Sequence, residues 1–321
     1  MAAATYAYDL SGKRVYVAGH RGMVGSALVR RLAAENCEIL TAPRDSVDLR
    51  DQAAVDGWFA AHRPQAIFMA AARVGGIYAN DTRPSDFLYD NLAIATNVVG
   101  AAHRFAVEKL MFFGSTCIYP RLAPQPIPED SLLTGPLEPT NEWYAVAKIA
   151  GLKLCEAFRR QHGRDFVSVM PTNLYGPGDN FDPLASHVLP ALLRRISEAA
   201  CSGAATVEIW GSGEPRREFL HVDDLADASI FLMRYWSADQ HINIGCGSDL
   251  PIADLARLIA KIVGFTGDFV FDRSKPDGTP RKLVDVSKLN ALGWKPRIDL
   301  EDGIRDVYRW YLENGPGRQK R

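Results

Sequence analysis

Tyr144 and Lys148 stand four residues apart in LEPTNEWYAVAKIAGLKLCE. The periodicity predicts a helix there, so the two side chains share one face. An ammonium beside a phenol lowers the phenol pKa from about 10 and makes it a usable proton donor near neutrality. A YxxxK pair alone arises by chance on many helices. Its weight here comes from Ser115, in Gly114-Ser115-Thr116-Cys117-Ile118-Tyr119-Pro120, directly after an apolar run. Open α/β sheets place ligands at the carboxyl ends of their strands. A hydroxyl at such an end, with a phenol and an ammonium on the next long helix, is equipment for reducing a carbonyl.

Upstream, Gly19-His20-Arg21-Gly22-Met23-Val24-Gly25 follows the run Arg14-Val15-Tyr16-Val17-Ala18. Glycines at such a junction permit a tight turn and let backbone N–H groups approach a pyrophosphate at a helix N-terminus. The spacing is GxxGxxG rather than GxGxxG, and an ordinary βα turn also needs glycine. Position at the first strand–helix junction favours a dinucleotide. An NAD site normally carries an acid about 20 residues after the first glycine, to hold the ribose hydroxyls. The matching stretch here is Thr41-Ala42-Pro43-Arg44-Asp45. Arg44, with Arg21 from the loop, would meet a 2′-phosphate, which favours NADP(H). The bland reading is a pair of solvated surface arginines.

These residues need a frame. Short apolar runs at 14–18, 38–40, 66–70, 110–113 and 166–170 alternate with helical stretches at 23–36, 52–63, 86–107 and 144–161. Continuous apolar strands in a β-α rhythm predict a doubly wound parallel sheet, a Rossmann-type α/β fold covered on both faces. At Pro171-Thr172-Asn173-Leu174-Tyr175-Gly176-Pro177-Gly178 the rhythm breaks into a turn-rich junction. Helical periodicity returns at 187–200, 222–234, 252–263 and 300–314, with strands at 207–209, 242–244 and 269–271. The expected division is a dinucleotide-binding domain over 10–180 and a smaller α/β substrate lobe over 181–315. Segments such as 218–247 would return to the main domain. The tail 315–321 reads as frayed.

Composition narrows the class. At 47% apolar, the 321-residue chain has too much core-forming material for intrinsic disorder. Lys plus Arg is 37 and Asp plus Glu 38, a net charge of −1, which argues against a nucleic-acid partner. No apolar run reaches the length of a membrane span. The opening MAAATYAYDLSGKR lacks the basic and apolar regions of a secretory signal. Cysteines 37, 117, 155, 201 and 246 are scattered without a CxxC, so reduced thiols, no metal site and a cytoplasmic location are expected. Read alone, Cys117 is a small packing residue at a strand end, and His187 a cap or core histidine.

The glycine loop, Ser115, Tyr144 and Lys148, in this order, resemble the extended short-chain dehydrogenase/reductase family. The segments AGHRGMVGS, AAARVGGI, GSTCIYP, PTNLYGPGDNF, WGSGEPRREFLHVDD and SKPDGTPRKL make the chain similar to the GDP-L-fucose synthase group of that family, over about 13–314. The resemblance implies an NADPH-dependent enzyme that epimerises C3 and C5 of a GDP-linked 4-keto-6-deoxy sugar and then reduces C4. It casts Cys117 as base, His187 as acid, Tyr144 as proton donor, Ser115 as holder of the C4 oxygen, and Lys148 as contact to the nicotinamide ribose. It adds His187, Pro171, Thr172, Asn173 and Leu174 to the cofactor contacts. Arg195, Trp210, Arg217 and Asp277 become contacts to GDP and sugar. It also implies a homodimer built on two helices from each chain. A related GDP-sugar enzyme such as a GDP-colitose synthase, a pure 4-reductase, and a non-catalytic NADP-binding regulator stay open.

If Arg44 and Arg21 hold a 2′-phosphate, NADPH binds more tightly than NADH, and Arg44→Ala shrinks the difference. Losing a charge-assisted contact of about 1.5–3 kcal/mol costs roughly tenfold or more in NADPH affinity. Titration of both cofactors checks this, and equal affinities in the unmutated protein would refute it.

Overall fold

A computed structural model describes residues 7–183, 185–275 and 277–315; the tail expected to fray lies almost wholly outside them. The first half of the chain gives β1 (Arg14–Ala18), α1 (Met23–Leu32), β2 (Glu38–Leu40), α2 (Gln52–His62), β3 (Ala66–Met69), α3 (Ile77–Thr82), α4 (Pro84–Arg104), β4 (Lys109–Phe113), α5 (Glu142–His162) and β5 (Asp165–Pro171). The second half gives β6 (Asn173–Tyr175), α6 (Val188–Ser202), β7 (Thr206–Trp210), β8 (Arg216–Arg217), β9 (Phe219–His221), α7 (Val222–Tyr235) and β10 (Ile242–Ile244). It ends with β11 (Leu250–Pro251), α8 (Ile252–Val263), β12 (Asp268–Asp272), β13 (Arg281–Lys282), α9 (Ser287–Leu292) and α10 (Leu300–Asn314).

Six strands form one sheet in the order β10-β5-β4-β3-β1-β2, every pair parallel. Alternation along the strands explains the unbroken apolar runs. Val15, Val17, Phe68, Met111, Phe113, Val167 and Val169 point to the layer of α1 and α7. Tyr16, Ala18, Ile67, Met69, Leu110, Phe112 and Phe166 point to the layer of α2, α4 and α5. Both faces are dry, so no position along these strands has to be polar. The chain runs outward from β1 to β2 and then resumes on β1's other side with β3. This reversal makes the crevice above β1 and β3 the expected ligand site of such a sheet.

A third core lies away from the sheet, where α6, α8 and α10 pack with β7 and β12 through Leu193, Ile196, Leu255, Ile259, Ile304 and Val307. β10 is spatially part of the main sheet, pairing with β5 through Ile242–Val169 and Ile244–Pro171.

Element limits differ from the sequence expectations for local reasons. α1 stops at Leu32 rather than Asn36, and the Asn36 carbonyl accepts from Gly12 N–H instead. α4 starts at Pro84, whose missing N–H costs nothing in a first helical turn. The turn-rich junction contains β6, which pairs in parallel with β9.

Glu218, fully buried, ties the second half together. Its Oε1 accepts from Cys246 and Gly247 N–H at 2.7 Å each, and its Oε2 from Val284 N–H at 3.1 Å. Burial raises its pKa above the usual carboxylate range, although the three N–H donors pull it down. Glu218→Ala leaves those donors without an acceptor and destabilises the fold by about 3 kcal/mol or more, with Glu218→Gln intermediate. Chemical denaturation measures this, and an unchanged midpoint in Glu218→Ala would show that the loop holds itself.

Candidate active site

The glycine loop is shaped by two close approaches. Gly19 has φ +85°, in the left-handed region that favours glycine. A Cβ on Gly25 would lie 2.1 Å from the Gly19 carbonyl oxygen, so the loop folds back on α1 only because Gly25 has none. Gly22 caps α1 without a side-chain hydrogen bond, which leaves the N–H groups of Met23, Val24 and Gly25 open at the positive end of the helix. His20 adds a buried Nδ1 that lacks a partner among the described residues. Arg21 and Arg44 reach the same rim. Arg21 lies 3.9 Å from Asp45, Arg44 lies 3.9 Å from Asp48, and both side chains are exposed. Donors at the turn and guanidinium groups at the rim fit the pyrophosphate and 2′-phosphate of NADP(H).

The far side of the crevice is made at the ends of β4 and β5. Ser115 accepts from Cys117 N–H at 3.3 Å and so caps a single 3₁₀ turn over Thr116–Ile118. That turn is fixed from below. The Tyr119 hydroxyl donates to Asn243 Oδ1 at 2.6 Å and lies 2.9 Å from His241 Nε2, all three residues being buried. Burial, aided by the Lys288 and Lys153 ammonium groups, holds the His241 pKa at about 4. The imidazole is therefore neutral and donates to Tyr119.

Lys148, one α5 turn beyond Tyr144, is buried and donates to the Phe113 carbonyl at 2.8 Å. Burial brings its pKa down to about 8. The ammonium sits 5.7 Å from the Tyr144 ring centroid. The expected lowering of the phenol pKa is not what the structure gives. Burial, and next the neighbouring Cys117, push Tyr144 up, while a hydrogen bond with Ser115 draws it part of the way back. Burial outweighs whatever the nearby ammonium contributes, and the phenol stays protonated.

Cys117 and His187 come from different elements, the turn after β4 and the start of α6. Cys117 Sγ accepts from Asn141 Nδ2 at 3.3 Å and lies 3.9 Å from Lys282 Nζ. His187 is the N-cap of α6, preceded by Ala185, whose carbonyl accepts from Gly76 N–H at 2.9 Å. Desolvation at the crevice wall, and then the Lys282 ammonium, hold its pKa below the ordinary 6.5, although the residue keeps an exposed surface. Lys282 thus faces both residues. Sequence reasoning missed Lys282 and Asn141, because only the fold brings them to the sulfur.

Pro171 closes β5, and Thr172 N–H donates to the Ile244 carbonyl at 2.9 Å. Asn173 Nδ2 donates to the Glu218 carbonyl at 2.8 Å, and Leu174 packs against the core shared with α1. In the lobe, the Arg195 guanidinium lies 4.8 Å and the Lys275 ammonium 5.6 Å from the Trp210 ring, and Trp210 is 45% exposed. Asp277 accepts from Ser212 N–H at 2.7 Å and Ser212 Oγ at 2.9 Å, pinning the turn after Trp210. Burial lowers the Arg217 pKa, while Cys117, Glu138 and Asp277 support its charge. Arg217 therefore links the sulfur side of the crevice to the lobe.

Residues 15–245 match the model of the NAD dependent epimerase/dehydratase family. The chain is 58% identical to a probable GDP-L-fucose synthase 1 of Oryza sativa subsp. japonica, over 97% of this chain and 95% of that protein. It is 55% identical to the GDP-L-fucose synthase of Escherichia coli K12, over 95% and 98%. A crystal structure of a GDP-L-fucose synthetase from Naegleria fowleri bound to NADP superposes with a TM-score of 0.88 at 29% identity, covering 97% of both chains. A dinucleotide crevice at the sheet's reversal and a carbonyl-reduction set on its rim thus coincide with full-length likeness: the chain belongs to the NAD dependent epimerase/dehydratase family, on the branch that holds the GDP-L-fucose synthases.

Proposed function

We propose that this chain converts GDP-4-keto-6-deoxy-D-mannose to GDP-L-fucose, by epimerisation at C3 and C5 followed by NADPH-dependent reduction at C4. One observation carries the reading. Ser115 and Cys117 share a single turn, and both act electrostatically on the Tyr144 phenol, so a proton-abstracting group and a carbonyl-reducing group serve the same ketone.

The hydrogens at C3 and C5 are acidic because both carbons flank the C4 carbonyl. The Cys117 sulfur removes each in turn, and the enolate oxygen is held by the Ser115 hydroxyl and the Tyr144 phenol. His187 returns a proton to the opposite ring face. Its lowered pKa keeps it neutral when the crevice is empty, and the enolate's negative charge favours its protonated form during exchange. The glycine loop, with Arg21 and Arg44, would hold NADPH, whose chemistry would be hydride donation at C4. Tyr144 gives its proton to the C4 oxygen, a task suited to a phenol that burial keeps protonated. Lys148 orients the nicotinamide ribose from the Phe113 side. Arg217, Arg195 and the exposed Trp210 hold the GDP end, with Asp277 fixing the turn after Trp210.

The sulfur so close to the reduction set favours this over a pure 4-reductase. The same reading assigns the chain to a homodimer built on α4 and α5, supported by Tyr89 of α4 and Val146 of α5, which are exposed in the single chain. It also places the enzyme in the cytoplasm, supported by five unpaired cysteines and the lack, among the described residues, of any helix long and apolar enough to cross a membrane.

Two substitutions separate the stages. Tyr144→Phe keeps the ring and removes the proton, so hydride transfer falls by about 10² to 10⁴ while NADPH binding persists. Stopped-flow NADPH oxidation reads the first effect, and near-normal turnover would place the proton donor elsewhere. Cys117→Ser retains the shape but substitutes an alcohol, a far weaker acid than a thiol. In deuterated water it loses most deuterium uptake at C3 and C5, yet slowly reduces the unepimerised ketone to a different GDP-6-deoxyhexose. Normal exchange together with GDP-L-fucose as product would make Cys117 a packing residue.

A further inference from the structure

Asn141 breaks a local rule. It is the N-cap of α5, a position where an Asn side chain ordinarily accepts from the first helical N–H groups. It makes no such cap. Its Nδ2 instead donates to Cys117 Sγ at 3.3 Å, and its Oδ1 is buried without a hydrogen-bond partner among the described residues. A forgone cap and a buried bare carbonyl both disfavour the conformation, and such local conflicts concentrate where a ligand resolves them. The backbone holds the side chain there: Asn141 N–H donates to the Glu138 carbonyl at 3.2 Å, closing the turn that leads into α5.

The unfilled atom is an acceptor one amide group away from the sulfur. Given the function proposed above, on which this inference rests, the group that fills it is a donor on the sugar, next to a carbon whose hydrogen Cys117 removes. C5 carries a methyl group and the ring oxygen and offers no donor. C3 carries a hydroxyl. We infer that Asn141 is a specificity-determining residue: its Oδ1 accepts from the substrate's 3-hydroxyl while its Nδ2 orients the sulfur toward the C3 hydrogen of the same carbon. The site is thereby matched to a 3-hydroxy sugar and disfavours a 3-deoxy one, which leaves the carbonyl bare.

The test compares two GDP-4-keto-6-deoxy sugars, one with and one without the 3-hydroxyl, by kcat/KM for NADPH oxidation. The unmutated protein prefers the 3-hydroxy sugar by roughly ten- to a hundredfold, the range expected when a buried acceptor loses its donor. In Asn141→Ala that preference collapses toward unity, mainly through loss on the 3-hydroxy sugar. Asn141→Asp keeps an oxygen at the same place but loses the donor to sulfur, so it retains the preference while deuterium exchange slows on both sugars. A merely structural role would depress both sugars equally and leave the ratio alone. That result in Asn141→Ala, with unchanged NADPH affinity showing an intact fold, overturns the assignment. A collapsed ratio in Asn141→Asp overturns it as well. If the unmutated protein turns over neither sugar, the proposed function itself has failed, and this inference with it.

Discussion

The Tyr119 hydroxyl, buried between His241 and Asn243, is the contact on which the rest of the crevice depends. It joins the end of the 3₁₀ turn bearing Ser115 and Cys117 to β10, a strand from the far half of the chain. Asn243 is itself satisfied on every side: its N–H donates to Glu129, and its amide to the Ile127 and Asp285 carbonyls. A fully partnered polar network in a dry core has a single geometry. The reactive turn inherits it. A flexible loop would have to order itself for every proton transfer, whereas this one is set before anything binds.

Charge is distributed around that turn to one end. Lys148, Lys282 and Arg217 lie around the region where the ketone sits in the proposed reaction, and Glu138 and Asp277 support the Arg217 charge. Such surroundings stabilise negative charge developing on an enolate or alkoxide, in a crevice of low effective dielectric where each contact counts for more than in water. Desolvation, joined by the Lys282 ammonium, holds the His187 pKa below its ordinary value.

How far the sequence spoke depended on the range of the interaction. The sheet strands and the long helices were legible, because alternation and helical periodicity report burial within a single element. β8, β11 and β13 were invisible: two residues each, they exist only because Arg216 and Arg217 find Pro251, Leu250, Arg281 and Lys282 across the chain. α3 escaped notice in a stretch with no apolar period of its own. The glycine turn and the Tyr144–Lys148 spacing were readable locally. The pairing of Asn141 and Lys282 with Cys117 was not, since 24 and 165 residues separate these partners from the sulfur. The electrostatic expectation for Tyr144 failed for a related reason. Spacing gives proximity on a helix, but it does not reveal that the fold buries the phenol beside Cys117.

The Gly76–Ala185 hydrogen bond has a mechanical consequence. His187 opens a helix whose body packs in the outer lobe, yet the segment just before it is stitched to the loop that follows β3. A hinge between sheet and lobe would therefore pivot next to His187 and carry Arg195 and Trp210 through the larger arc. The nucleotide end of a substrate would be gripped by parts that swing. Its ketone would meet an acid and a base that hold their separation throughout the stroke, much as a vice keeps its fixed jaw true while the other travels.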